Sequence, residues 1–428
     1  MANTGPPGGP SDTREEGRCS TPTLAYLASE YPAISHTFIF REVRHLREKG
    51  FQVHTASVRK PKNLEKMTPE EKEESARTLY ILSRFPWGLL KDNLLLFLSG
   101  PGRYLAMAAE AWRAHRLGRR SLVKTLAYLA EAGVLVRWLA SKGVDHLHVH
   151  FANPAATAAM IGAASGRFTF SLSVHGPSVF FRTVESVLPR KLEKAHFVRC
   201  ISHFCRSQVM TFLQPSHWEK LEIVRCGVNP EVFEPRKDPG GETKEILCVA
   251  RVVPVKGQHL LLRACRVLAE KGISFHLTLV GGGDDLESVR DEAARLGLAE
   301  KVTLTGPVGQ GEIRRYFDAA HVFALPSFAE GVPVVLMEAM SKEIPVIASR
   351  VNGIPELIED GREGFLITPS HEEELADRLE RLLADKALRE EMGRKGREKV
   401  KALYDLDKNC EQMGRIFQKR LARESPKR

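Results

Sequence analysis

The chain has 428 residues, 43% of them hydrophobic and 27% charged, with a formal charge of +10. That length exceeds one ordinary core and points to two domains, and no uncharged apolar run reaches the roughly 18 residues of a membrane-spanning helix. The positive balance comes without any nucleic-acid module, so its partner is expected to be an anionic membrane surface or a phosphorylated substrate, with no nucleic acid.

In chain order, residues 1–20 are rich in Gly, Pro and charge and lack an apolar core, which reads as a disordered tail rather than a signal peptide. Residues 24–27 read as a first strand, 35–48 as a helix and 51–54 as a second strand. Residues 60–76 are charged and contain proline, and read as a surface excursion. A long helical pattern covers 87–142, broken at Ser99-Gly100-Pro101-Gly102. Strand-like runs follow at 146–151, 168–174, 197–201 and 221–224, with helices between. Turn residues and charges then cluster without apolar periodicity, giving a linker at 229–243 between a first domain, 21–228, and a second, 244–404. Strands of the second half are expected at 246–249, 275–280, 302–304, 322–325 and 346–348, and 405–428 forms a last helix. Alternating strands and helices imply parallel sheets with right-handed crossovers. Seven scattered cysteines fit reduced core residues of a cytoplasmic protein better than a disulfide framework.

The most informative stretch is Glu330-Gly331-Val332-Pro333-Val334 through Glu338. Pro333 suits the first turn of a helix, and Ala324-Leu325-Pro326 reads as the end of a buried strand. Glu330 is then in the loop, and Glu338 about five residues into the helix, about 8 Å along its axis. Between them the helix N-terminus offers free N–H groups to a phosphate. A ligand with phosphate in its middle and hydroxyls on both sides, such as a nucleotide sugar, fits this arrangement. Arg251 ends the first strand of the second half and Lys256 follows in a loop. Ligands of open parallel sheets bind at the carboxyl ends of strands, and two fixed cations can offset diphosphate charge there. Gly281-Gly282-Gly283 follows another strand end and forms a candidate phosphate-side loop.

These residues resemble the Glu-x7-Glu motif of family-4 retaining glycosyltransferases of the GT-B fold, a likeness that extends through Arg251, Lys256 and His175 over most of residues 20–405. It implies an α/β chain of two Rossmann-like α/β/α domains facing across a cleft, with the C-terminal helix crossing back to the first domain. The implied reaction moves a sugar from a nucleotide diphosphate sugar to a glycan or lipid-linked acceptor, with retention and with no metal cofactor. Glu338 would hold the ribose hydroxyls, and Glu330 with the backbone of Gly331 and Val332 the donor sugar. Arg251 and Lys256 would compensate the diphosphate, and His175 would orient the sugar near the anomeric carbon. An epimerase on the same fold and a non-catalytic nucleotide-sugar binder remain alternatives.

The loop Tyr31-Pro32-Ala33-Ile34-Ser35-His36-Thr37-Phe38 lacks the Gly-Gly pair that many family members carry. It is similar instead to the Tyr-Pro-x-x-Ser-x-Thr-Phe loop of bacterial exopolysaccharide (colanic-acid-type) transferases, which puts Ser35 and Thr37 on the phosphate or acceptor side. His146, His148 and His150 share one strand face and would suffice for catalytic zinc, but strand position alone does not make them converge and no partner carboxylate is evident. The family's similar segment has His150 bordering the cleft, and metal ligands are set at none. Asp405-Leu406-Asp407 reads as a helix cap. Arg103 to Leu139 mixes cations with Leu, Trp and Tyr, a candidate surface for contact with the inner face of an anionic cytoplasmic membrane.

Overall fold

Runs of apolar residues between polar turns fold as strands that are covered on both faces, the usual state of parallel sheets flanked by helices. The computed structural model describes residues 22–33, 37–61, 67–119, 121–176, 178–181 and 183–422. Within these residues seven strands form the first sheet: β1 (Thr23–Glu30), β2 (Gln52–Arg59), β3 (Leu79–Tyr80), β4 (His146–His150), β5 (Thr169–Val174), β6 (Val198–Cys200) and β7 (Leu221–Ile223). Six more form the second: β8 (Lys244–Val249), β9 (Phe275–Val280), β10 (Val302–Leu304), β11 (Val322–Leu325), β12 (Val346–Ser349) and β13 (Gly364–Ile367). The strand orders are β3-β2-β1-β4-β5-β6-β7 and β10-β9-β8-β11-β12-β13, with every pairing parallel. Each sheet starts at its centre and reverses direction there, between β1 and β4 and between β8 and β11. Such reversal points open a crevice at the carboxyl ends of the strands. The GT-B expectation of two Rossmann-like units holds.

The last helix, Leu406–Leu421, packs on the helix Thr37–Glu48 of the first unit. Its Met413 and Phe417 are fully buried in a core layer with Tyr26, Val43, Leu46 and Phe197. Asp405 caps this helix by accepting from the N–H groups of Asp407 and Lys408 at 2.9 and 3.2 Å, as its sequence indicated.

Several expectations need correction. Residues 69–77 are not a surface excursion: Pro69–Arg77 is a helix opened by a capping box between Thr68 and Glu71, with Glu74 buried. Glu74 accepts from Tyr31 Oη, Thr55 Oγ1 and the Arg47 guanidinium, so this helix buries a polar face that an apolar pattern cannot reveal. The helical stretch breaks a second time, at Arg119, giving helices Trp87–Ser99, Pro101–Gly118 and Leu122–Lys142. Strand β2 runs on to Arg59, and β13 was not anticipated. The predicted tail, 1–20, lies outside the described residues. The six cysteines within them are free and buried.

Candidate functional site

The buried strand β11 delivers the chain to the loop that carries Glu330. There Glu330 is 8% exposed and its Oε1 accepts from Ser327 Oγ at 2.8 Å and from Lys256 Nζ at 2.5 Å. Lys256 comes from the turn after β8, where Gly257 adopts φ +72°. A Cβ on Gly257 would sit 2.2 Å from the carbonyl oxygen of Pro326, so only glycine lets the two loops touch. The structure thus joins two predicted residues in an ion pair. Arg251 is exposed, and its guanidinium makes no hydrogen bond or ion pair among the described residues.

Pro333 is extended, with ψ 121°, and caps the helix Val334–Ser341 instead of lying within its first turn. Glu338 is therefore four residues in, about 6 Å along the axis. It is half-buried and makes no side-chain hydrogen bond or ion pair among the described residues. Burial pushes its carboxyl up to about 7, against the opposing pull of Arg41 on the helix Thr37–Glu48. That pull comes from the other sheet's unit, so Glu338 faces the crevice between the two.

Gly331 is where the units meet. A Cβ there would lie 2.0 Å from the carbonyl oxygen of His175 and 3.1 Å from Ile201 Cδ1. The sequence suggested close backbone approach at Gly331 toward a sugar, and the structure shows that approach directed at His175. Nearby, Glu356 accepts from the N–H groups of His203 and Phe204 at 2.9 and 2.8 Å. A carboxylate of the second unit thus caps the helix His203–Met210 of the first, a favourable place for negative charge. Val332 and Pro333 are buried, and Val334 is partly so.

His175 follows β5 and is buried among Phe38, Phe151 and His150, with ring centroids 4.9, 4.8 and 5.1 Å away. Its Nε2 lies 2.9 Å from His150 Nδ1, and its Nδ1 lies 3.6 Å from Cys226 Sγ. Burial pushes the Cys226 thiol up to about 11, so it stays protonated and can donate to Nδ1. His175 Nε2–H then donates to His150 Nδ1, and His150 Nε2–H points toward Glu42 Oε1, 3.7 Å away. Burial alone would raise the Glu42 carboxyl, but Arg199 with His150 and His148 holds it well below the usual carboxylate range. Arg199 pairs with Glu42 and also donates to the carbonyl oxygens of Val224 and Arg225, while Tyr26 Oη donates to Glu42 at 2.8 Å.

Sequence reasoning missed Glu42 and Arg199. Glu42 falls on the stripe of Ile39, Val43 and Leu46, all buried, and Arg199 sits mid-strand between Val198 and Cys200. A charge inside an apolar period was the available signal.

The histidine ladder is explained by its neighbour β5. The register pairs His146 with Thr169, His148 with Ser171 and His150 with Ser173. His148 uses both nitrogens, on Ser171 Oγ at 2.7 Å and Ser173 Oγ at 2.8 Å, and His146 does the same on Thr169 and Ser171. Burial drops the His146 imidazole to about 3 and keeps His148 well below its usual value, so both are neutral. Glu42, His148 and His150 bring ligand-type atoms within 4.8 Å of one another. This group differs from the three-histidine set and does contain a carboxylate. Its atoms are already engaged by Arg199 and by serine hydroxyls, and a cation there would also meet the buried guanidinium.

Gly281 and Gly283 pack against the backbone of the Arg251 loop: a Cβ would come within 1.9 Å of Ala250 O and 2.0 Å of Val252 O. Gly282 O accepts from Val252 N at 3.0 Å. These glycines hold the loop that presents Arg251. Ser35 lies outside the described residues, and Thr37 is described only as the first residue of its helix.

Comparison with known proteins agrees with this geometry. Residues 231–399 match the model for glycosyl transferases group 1, and residues 96–232 that for glycosyltransferase family 4. The chain is 28% identical over 375 residues to the amylovoran biosynthesis glycosyltransferase AmsK of Erwinia amylovora, covering 84% of this chain and 90% of that one. It is 30% identical over 292 residues to a GDP-mannose-dependent alpha-(1-6)-phosphatidylinositol monomannoside mannosyltransferase of Mycobacterium tuberculosis, covering 63% of this chain and 75% of the relative. In fold it is similar to sucrose-phosphate synthase from Thermosynechococcus elongatus, with a TM-score of 0.73 at 21% identity over 94% of this chain and all of that one. With family models matched over residues 96–232 and 231–399, and a relative at 30% identity matched over 75% of its length, the chain belongs to the group 1 and family 4 glycosyltransferases.

Proposed function

We propose that this glycosyltransferase moves a sugar from a nucleotide diphosphate sugar to a glycan or lipid-linked acceptor, with retention and without a metal, in cell-surface or exopolysaccharide biosynthesis on the cytoplasmic side. The observation that carries the reading is the joining of Lys256 and Glu330 beside the exposed Arg251, at the strand ends where the second sheet reverses. The N-terminus of the helix Val334–Ser341 follows a few residues on. Two cations and a helix end offset charge on a diphosphate as the glycosidic bond breaks. Glu338, within the same helix, offers two acceptor oxygens to ribose hydroxyls. Two relatives support the donor and acceptor classes, one named for GDP-mannose and phosphatidylinositol monomannoside, the other for amylovoran biosynthesis.

In this mechanism the bond from the anomeric carbon to the diphosphate oxygen breaks, and the acceptor oxygen bonds the same face. The acceptor proton passes to the departing phosphate oxygen, and a nucleoside diphosphate leaves. His175 and Glu330 hold the sugar while Arg251 and Lys256 take up the developing charge.

The test is a panel of nucleotide sugars screened for stabilisation, then anomeric analysis of product. A ligand at 100 times its Kd stabilises by about 2.7 kcal/mol. Lys256→Ala is expected to lower turnover by about 10² to 10³ while the fold is kept. Undiminished transfer by that variant overturns the reading, as does release of free nucleotide with no sugar reaching any acceptor.

A further inference from the structure

The transferase reading leaves one large surface unused, that of residues 82–126. Of the twenty large apolar side chains exposed among the described residues, thirteen lie in this stretch. On the helix Trp87–Ser99, Leu89, Asp92 and Leu96 are buried against the domain. Trp87, Leu90, Leu94 and Leu98 lie exposed at intervals of three and four, a continuous apolar stripe turned to solvent. The helix Pro101–Gly118 adds Leu105 and Trp112, two turns apart, and Leu117 near its end, and the start of the helix Leu122–Lys142 adds Leu122 and Val123.

Charge on this surface is one-sided. Residues 82–126 contain eight arginines and lysines and two acids, Asp92 and Glu110. Both acids are buried and neutralised, Asp92 by Arg84 and Arg137, Glu110 by Arg113 and Arg190. Lys91, Arg103, Arg116 and Lys124 stand exposed around the apolar stripe. The surface therefore presents no carboxylate of its own across three helices.

Its place in the fold is equally specific. The helix Leu122–Lys142 is roughly 30 Å long and ends shortly before β4 begins, so its start reaches the carboxyl edge of the sheet, where β5 delivers His175. Phe181 and Val184, also exposed, follow His175, and the short helix Thr183–Ser186 packs beside Pro101–Gly118.

An apolar patch of this extent in water marks an interaction surface, and cations framing leucines and tryptophans match the boundary between lipid headgroups and acyl chains. We propose that this face seats the protein on an anionic phospholipid bilayer, with Trp87, Leu94 and Trp112 entering the boundary and the cations meeting lipid phosphates. The crevice then opens beside the bilayer. The inference stands apart from the transfer reaction, since binding is measured without donor or acceptor.

The experiment uses the full chain with vesicles of phosphatidylcholine alone and with a third phosphatidylglycerol, read by flotation and tryptophan emission. Flotation with the anionic vesicles, a blue shift and weakening with salt are expected. Trp87→Glu with Leu94→Glu should cut partitioning at least tenfold, and Lys91→Ala or Lys124→Ala about fivefold each. All four sites are exposed, and an unchanged circular dichroism spectrum confirms the fold. No binding to anionic vesicles, or equal binding by the variants, overturns the proposal. So does a vesicle-free dimer that the same substitutions dissociate, which assigns the face to a second copy.

Discussion

His150 Nδ1 accepts from His175 Nε2 across 2.9 Å, so the ring that the family resemblance sets beside the donor sugar is held from behind by a second histidine. His150 is itself oriented toward Glu42, whose carboxylate Arg199 keeps ionised. His150→Ala removes the acceptor and is expected to lower kcat about 100-fold through misplacement of His175, with KM for the donor little changed. His150→Asn restores an acceptor oxygen near the Nδ1 position and should recover most of the loss. Parallel kinetics of the two variants would show that His150 serves packing alone.

Glu338 sets a pH dependence. Its carboxyl is raised to about 7 by burial, so it is mostly protonated at pH 6 and ionised at pH 8. If the ionised form receives ribose hydroxyls, affinity for a nucleotide sugar should rise about tenfold between those values, one factor of ten per unit below the pKa. The diphosphate diester of such a ligand does not titrate there, so calorimetry at several pH values isolates the protein group. Glu338→Gln should bind more weakly and with a flat profile. A profile for the variant that parallels the parent's assigns the titration elsewhere.

Glu131, in the helix Leu122–Lys142, has a buried Oε2 with no hydrogen-bond partner among the described residues, and desolvation raises its carboxyl to about 7 against the pull of Arg59. A raised folded value means the native state binds the proton more tightly than the unfolded chain. Stability is therefore greatest below the unfolded value near 4.5 and declines as pH rises through about 7. Glu131→Gln removes the titration and should gain about 3 kcal/mol at pH 8 relative to the parent, with little gain at pH 4.5. Denaturant melts at the two pH values decide it, and an equal effect at both refutes the assignment.

Much of the architecture was legible because parallel strands buried on both faces read as apolar runs, as in Phe275–Val280 and Val322–Leu325. The loop from Glu330 to Pro333 was legible because proline fixes φ at one position and glycine permits a close backbone approach at another. Legibility failed where burial is polar. The helix Pro69–Arg77 turns Glu71, Glu74 and Ser75 inward, and its sequence looks like solvated surface. The strand β13 offers only Gly-Phe-Leu-Ile between charged turns, too short for a period to show. Glu42 and Arg199 stabilise each other across 157 residues of sequence, a separation that no local pattern reports.

The helix Leu406–Leu421 closes a layer whose other members, Tyr26, Val43 and Phe197, are made long before it. During synthesis the first unit must wait with those side chains uncovered until residues 406–421 have left the ribosome, since domains otherwise settle in order of emergence. The helix Leu406–Leu421 thereby ties closure of the first unit's core to synthesis of the second. A chain interrupted after the second sheet would carry every residue of the candidate site and still expose an aromatic seam for proteases and chaperones to recognise.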